Sequence, residues 1–398
     1  MRALTLIAFG IFCAQSYSRT NDSQDSLSVA DSATVTATDS VTAKGKHGIV
    51  QRLLNYFRES NKPKPNKKVD FGVLPGPHYS STTGFGMGII GTATYTTDLK
   101  DSTLARSNAS VYADVTTGGF FMMGLRGTHI FPHEKYRLDY KLKASTFSTQ
   151  FWGIGYDAAD NDDNETDYRL NHLNAMARFM FKLAPNTYFG PLANYRFYQA
   201  RGVNEEFAHL WEGQDKTLNV YSLGVSFTYD SRDFMLNAKK GVFLQLDQTF
   251  SPRFLGNGNH SFSTSELTFA TYGRLWKGAV LAGEIHGLFN YGKTPWALLS
   301  TVGSNDRMRG YYEGRYRDQN LMEAQVELRQ HIKGRHGVVG WVGLANAFQN
   351  FDELSAKKNL YNAGVGYRWE FKKGINIRID YGFTRNGGGF IFNINEAF

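Results

Sequence analysis

Two groupings of side chains in this sequence could do chemistry. Asp160, Asp162, Asp163, Glu165 and Asp167 bring hard oxygen donors to one short stretch, partly at alternate positions, as Ca²⁺ prefers. The stretch lacks the glycine and the distal glutamate of an EF-hand loop, so it reads as a solvated acidic loop and no metal is assigned. His260 stands beside Ser261 and Ser263, a pairing that activates a hydroxyl when a carboxylate orients the imidazole. No third member occurs at a recognisable spacing, and His286 and His331 read as polar residues of a wet interior. The expectation is a protein with no catalytic residues and no cofactor.

The elements that would position any site are unusual. Met1-Arg2, an apolar run from Ala3 to Ala14 and the small residues around Ser16 to Ser18 have the layout of a cleavable secretory signal over 1–18, too short to span a bilayer. Cys13 is the only cysteine, and bulky Phe12 before it argues against lipidation; once the signal is removed, disulfides and cysteine-ligated metal are excluded. Residues 19–43 are Ser, Thr, Asp and Ala with few large apolar side chains, which predicts a disordered tether. Lys44 to Lys68 holds eight basic residues against Glu59 alone, a local +7 within a chain whose total is +8. In the segment 44–70, Ile49, Val50, Leu53, Leu54 and Phe57 recur at helical spacing up to Pro63. That amphipathic helix reads as a solvated linker, an interfacial anchor on anionic lipid or a barrel plug. Nucleic acid is not expected as a partner, because the basic stretch has few aromatic residues and the chain is addressed to the periplasm.

From about Thr83 the pattern turns to period two and stays there. Ile375, Ile377, Ile379, Tyr381 and Phe383 alternate with Asn376, Arg378, Asp380 and Gly382, so one face is apolar and the other polar. The same split places Leu138, Tyr140 and Leu142 against Arg137, Asp139 and Lys141, and Met322, Ala324, Val326 and Leu328 against Glu323, Gln325, Glu327 and Arg329. Tyr221, Leu223 and Val225 likewise oppose Ser222, Gly224 and Ser226. Runs longer than the strands of soluble sandwiches, with ionic residues all along one face, predict an all-β fold: a transmembrane antiparallel β-barrel with a wet lumen. An aromatic content of 15% suits interfacial girdles. Strands are expected near 84–96, 108–117, 119–131, 136–147, 149–156, 168–183, 187–200, 217–230, 241–251, 261–275, 277–290, 320–331, 337–348, 360–372, 375–385 and 389–398. That makes about sixteen, an even number as closure requires. Tight connections such as Pro185-Asn186 alternate with long ones at 158–167, 201–216 and 291–319.

The longest connection contains Arg307-Met308-Arg309-Gly310-Tyr311-Tyr312-Glu313-Gly314-Arg315-Tyr316-Arg317-Asp318. With Phe151-Trp152-Gly153-Ile154-Gly155, Asp230-Ser231-Arg232-Asp233 followed by Lys240-Gly241, and a last strand ending in Phe398, the stretch 71–398 resembles the BamA/TamA superfamily of outer-membrane assembly factors and two-partner-secretion transporters. The resemblance implies that Arg309, Gly310 and Tyr311 fold back into the lumen and that Arg309 meets an acidic group on the wall. A guanidinium held in a lumen without a matching carboxylate is costly, and Glu327 is the best partner by face and position, with Glu323 second and Arg329 beside them. The family's usual Phe-x-Asp-x-Gly on the thirteenth strand reads Trp341-Val342-Gly343-Leu344-Ala345 here, so the acid is replaced by Gly343 and the anchor falls more heavily on Glu327. Relatives also carry periplasmic repeats of about 75 residues, which this sequence does not show.

Two further expectations concern the ends of the barrel. Gly84, Gly86, Gly88 and Gly91 on the expected first strand, facing a last strand led by Gly387-Gly388-Gly389, predict a weak seam; the competing reading is that these glycines make room for the motif loop. Phe390, Phe392, Ile394 and Phe398 share a face, interrupted by Glu396, and resemble the C-terminal signal read by the barrel-assembly machinery. Function is expected in assembly or translocation of polypeptide or lipid at the bacterial outer membrane, with lipid, that machinery and a polypeptide substrate or outer-membrane complex as partners. The alternative is a passive or gated small-solute channel, or a structural subunit of such a complex.

Overall fold

Alternation is realised as one meandering sheet. The computed structural model describes residues 69–80, 84–98, 104, 106–211 and 213–398; the expected signal, tether and amphipathic helix lie outside them. In chain order the strands are β1 (Val69–Ser80), β2 (Gly84–Tyr95), β3 (Ser107–Thr116), β4 (Phe121–Ile130), β5 (Tyr136–Phe151), β6 (Thr166–Ala184), β7 (Thr187–Arg201), β8 (Thr217–Asp230) and β9 (Gly241–Ser251). They continue as β10 (Phe262–Arg274), β11 (Ala279–Gly292), the short pair β12 (Ser300–Thr301) and β13 (Arg317–Asp318), then β14 (Asn320–Lys333), β15 (His336–Phe348), β16 (Leu360–Lys372), β17 (Ile375–Thr384) and β18 (Gly387–Ile394). All but β12 and β13 form a 16-stranded antiparallel sheet in sequential order. Among the described residues no helix is long and apolar enough to cross a membrane, which says nothing of a β-barrel.

The expected count of about sixteen is met through two compensating differences. β1 was not expected, because alternation was read only from about Thr83; Gly72, Pro75, Gly76 and Pro77 fall within the strand. Proline is tolerated where a strand lies at the end of a sheet, and among the described residues β1 is that end strand, paired with β2 in a register that sets Pro75 against Ile89 and Pro77 against Met87. Conversely, the two strands expected at 136–147 and 149–156 are one, the 16-residue β5, in which Ser145, Ser148 and Thr149 interrupt the apolar period without breaking the ladder to β6.

Face assignment follows the sequence. Met322 and Val326 are exposed on the outer face of β14, whereas Glu323, Gln325, Glu327 and Arg329 are buried within. Outer-face residues such as Phe85, Val111, Leu223, Val342 and Phe383 are likewise exposed, as suits side chains that meet lipid rather than water. One rim carries short turns, including 185–186, 334–335 and 373–374; the other carries the long connections.

The sheet does not close by a ladder. The strand order runs from β1 to β18 without joining them, yet the two lie side by side: a Cβ on Gly76 of β1 would stand 3.3 Å from the ring of Phe392 on β18. Gly84, Gly86, Gly88 and Gly91 therefore lie on β2, one strand in from the seam, with β3 on their other side. Gly88 makes room for the Asp114 carboxylate, which a Cβ would approach to 2.9 Å.

Candidate functional site

The connection from β11 to β14 turns into the lumen, and its local backbone explains how. Met308 (φ 46°) and Gly310 (φ 106°) reverse the chain on either side of Arg309. The reversal presses against a surface stripped of side chains: a Cβ on Gly382 of β17 would lie 2.0 Å from the Arg309 carbonyl oxygen, and one on Gly389 of β18 would lie 3.2 Å from Gly310 Cα. Gly382 and Gly389 thus give the loop backbone its seat, which is the second of the two readings offered above and holds for Gly389 but not for Gly387 or Gly388. Asn362 on β16 donates from Nδ2 to the Arg309 carbonyl at 2.9 Å, and the Tyr311 hydroxyl donates to the Tyr361 carbonyl at 3.0 Å.

Arg309 is fully buried and divides its fork between two equally buried carboxylates on different strands. Nη2 donates to Glu327 Oε2 at 2.6 Å and Nη1 to Asp380 Oδ2 at 2.8 Å. The guanidinium also lies 3.7 Å from the ring centroid of Trp341, where its charge meets a π face. Three further arginines complete the cluster. Arg329 donates to the other oxygen of Glu327 at 2.7 Å, and Arg368 to Asp380 at 2.5 Å and Glu396 at 2.7 Å. Arg378 reaches Asp306 at 2.5 Å. Four cations face four side-chain carboxylates, and such pairing is the condition under which buried charge is tolerable.

Glu323, expected as a second partner for Arg309, lies instead beside His286, whose Nδ1 is 2.8 Å from Oε1, and 4.0 Å from Arg307. Arg307 makes its own clamp on Glu284 at 2.6 and 2.9 Å; although burial disfavours its charge, Glu284 raises the guanidinium above its usual range. Arg329 touches Glu327, not Arg309. The loss of the thirteenth-strand acid is met by geometry that the sequence did not announce. A Cβ at Gly343 would stand 2.3 Å from Asn362 Oδ1 and 3.3 Å from Met308 Sδ, so that place is filled, and Asp380 supplies the charge from β17.

The outer half of the loop is clamped by the acidic stretch. Asp162 accepts from Arg315 at 2.5 Å, and Asp160 accepts from Tyr316 at 3.1 Å and Arg385 at 2.5 Å, so two of the five acids hold the loop rather than a metal. Burial pushes the Tyr316 phenol up to about 12, opposed by Arg385 and aided by Asp160. The backbone N–H of Gly155 donates to the Arg317 carbonyl at 2.8 Å, and Trp152 packs edge-on against Tyr312 with centroids 5.3 Å apart, which gives the Phe151–Gly155 motif its role. On the opposite rim Arg232 forks onto Asp230 at 2.8 and 2.9 Å and covers Phe243, so that motif shapes a turn. His260 lies in the β9–β10 loop and His331 is exposed near the short-turn rim.

The last residues depart from expectation. Phe390 and Phe392 occupy the outer parity of β18 opposite Tyr381 and Ile379, but the strand ends at Ile394 and Asn395 takes φ 71°. That turn sends Glu396 inward to Arg368 and brings Phe398 against Tyr272 and Arg329, with the Phe398 carbonyl accepting from Arg329 at 2.8 Å. Phe398 therefore does not extend the outer stripe of Phe390, Phe392 and Ile394. Although burial disfavours its ionised form, Arg368 and Arg329 hold the Glu396 carboxyl below the usual carboxylate range.

A sixteen-stranded sheet of this alternation, with an arginine-anchored loop folded inside, defines an integral outer-membrane β-barrel. The profile of the Omp85 superfamily domain matches residues 124–398, and the chain belongs to that superfamily. Its fold is similar to BamA from Haemophilus ducreyi lacking POTRA domains 1-3, at 13% identity and TM-score 0.54, covering 83% of this chain and 71% of that one. CdiB from Acinetobacter baumannii and CdiB from Escherichia coli match at 11% identity with TM-scores 0.54 and 0.53, and this chain spans 60% of each. No curated protein matches it by sequence.

Proposed function

We propose that this barrel assists the assembly or translocation of polypeptide or lipid at the outer membrane, without enzymatic chemistry. The carrying observation is the seam: β1 and β18 are the one adjacent pair of barrel strands that no described ladder joins, with the Phe392 ring packed at Gly76. A pair of neighbouring strands that no described ladder joins lets the wall part toward lipid. The charge cluster supports the same reading. Glu396, two residues beyond β18, binds Arg368, which also binds Asp380, the partner of Arg309. The position of the loop and the anchorage of the seam strand are thus linked through shared ion pairs. Outer-membrane lipid, the barrel-assembly machinery during insertion, and a polypeptide substrate or outer-membrane complex are the partners this role requires.

The test is to join Gly76→Cys to Phe392→Cys with a short bifunctional thiol reagent and ask whether the locked barrel rescues a depletion strain, read as the content of folded outer-membrane proteins. Rescue by the locked form refutes seam opening. A stable, porin-like conductance in planar bilayers together with an unchanged outer-membrane proteome on depletion would assign a passive channel or structural subunit instead.

A further inference from the structure

The wall across from the charge cluster carries cations and almost no acid. Arg126 on β4 stands directly opposite Lys141 on β5. Lys143, two residues on and on the same face, is opposite Asn174, which is itself opposite Arg196 on β7. One step further Ser145 faces His172 on β6. Directly opposed side chains on one face of a sheet lie about 4.5 to 5.5 Å apart at Cβ, so the seven form one continuous patch. They point inward: Met123 and Leu142, their neighbours of opposite parity, are 51% and 48% exposed on the outer face.

None of the four cations is within ion-pair distance of a carboxylate among the described residues. The nearby acids are fewer than the cations and none reaches ion-pair distance of them. Asp139 takes Thr128 at 2.7 Å and Arg178 at 3.3 Å, Glu266 lies 3.1 Å from His286, and Glu313 on the motif loop faces Lys143 and Lys141 at longer range without an ion pair. Neutral donors are also left over. Ser145 Oγ, on a residue only 6% exposed, and His172 Nε2 are both buried without a hydrogen-bond partner.

We infer that this patch is a binding site for a polyvalent phosphate anion, either free in the lumen or carried on a lipid headgroup. Low-dielectric walls focus the field of like charges in a cleft, so four cations that outnumber the acids facing them among the described residues attract an anion more strongly there than on an open surface. Charges spread over three strands match a ligand with several anionic groups better than a single halide. Arginine forks onto phosphate oxygens, lysine adds point charge, and the Ser145 hydroxyl supplies a neutral donor. The site is independent of whether the barrel assembles other proteins.

The experiment is calorimetric titration of the full chain in neutral detergent with inorganic tripolyphosphate. One equivalent should bind saturably and weaken as salt rises. Lys141→Gln with Lys143→Gln, and separately Arg126→Gln with Arg196→Gln, should each weaken binding at least about tenfold, since each removes two of the charges on which such salt-dependent affinity rests. Lys357→Gln, in an exposed outer loop, should leave it unchanged. Retention of heat-modifiable mobility on gels shows that each variant is folded. Displacement of tripolyphosphate by phosphatidic acid in mixed micelles assigns the site to a lipid headgroup, and failure to displace assigns it to a free anion. Absence of saturable binding, or equal affinity in the folded double variants, overturns the proposal.

Discussion

Arg309→Ala removes the side chain that ties the inward loop to two strands of the barrel wall. It deletes two charge-assisted hydrogen bonds, at 2.6 Å to Glu327 and 2.8 Å to Asp380, and the contact with the Trp341 ring. Removing one member of a buried ion pair typically costs about 3–5 kcal/mol, because the remaining charge is left buried without compensation. Here neither carboxylate is stranded. Glu327 keeps Arg329 at 2.7 Å and Asp380 keeps Arg368 at 2.5 Å, which places the expected loss near the lower bound, about 3 kcal/mol. The assay is equilibrium unfolding in detergent followed by tryptophan fluorescence, run as a cycle with Glu327→Ala and the double variant. Residues in contact within one network should couple by about 0.5–3 kcal/mol. Additive losses, or a midpoint in Arg309→Ala equal to the parent's, would refute the view that this pair anchors the loop. Arg309→Lys should fall between parent and alanine variant, since one ammonium cannot replace a fork shared between β14 and β17.

Other expected outcomes are direct. Gly382→Ala should expel the loop, because the added Cβ would sit 2.0 Å from a backbone oxygen; protease accessibility near Arg309 should rise, and unchanged accessibility would show that the seat is not tight. Gly343→Asp, which restores the residue usual in relatives, should destabilise rather than strengthen, given 2.3 Å to Asn362 Oδ1; a higher unfolding midpoint would contradict this. The Glu396 carboxyl is held below its ordinary range, so its contribution is present above the unfolded-state pKa and is lost as pH falls through the lower folded-state value. Glu396→Gln should therefore flatten the acid limb of a stability-against-pH curve, and identical limbs would remove Glu396 from the account. Deleting Phe398 should reduce insertion and loosen Arg329, whose Nη2 bonds to its carbonyl; undiminished heat-modifiable barrel after deletion would argue against both.

What the sequence made legible was governed by period, and what it hid was governed by tertiary contact. Alternation at 322–329 and 375–383 fixed which side chains face the lumen, since parity in a strand leaves no other choice. It also put Arg378 and Asp380 on the charged face, yet nothing local distinguished Asp380 as the second partner of Arg309. That role depends on the register β14-β15-β16-β17, which carries Glu327 and Asp380 to either side of one guanidinium. Signals that act through exceptions were misread. The prolines of β1 lie in a strand that the alternation did not reveal; an interior strand would exclude them, whereas an end strand does not. Glu396 read as a flaw in an apolar stripe because parity was extrapolated past Asn395, where a left-handed residue ends it. In both cases the residue that broke the local pattern marked where the chain meets a different surrounding: the seam for Pro75 and Pro77, the buried arginines for Glu396. A charged residue on an apolar face or a proline in an alternating run is therefore evidence of a boundary: in this barrel, the end strand β1 for the prolines and the turn beyond β18 toward Arg368 for Glu396.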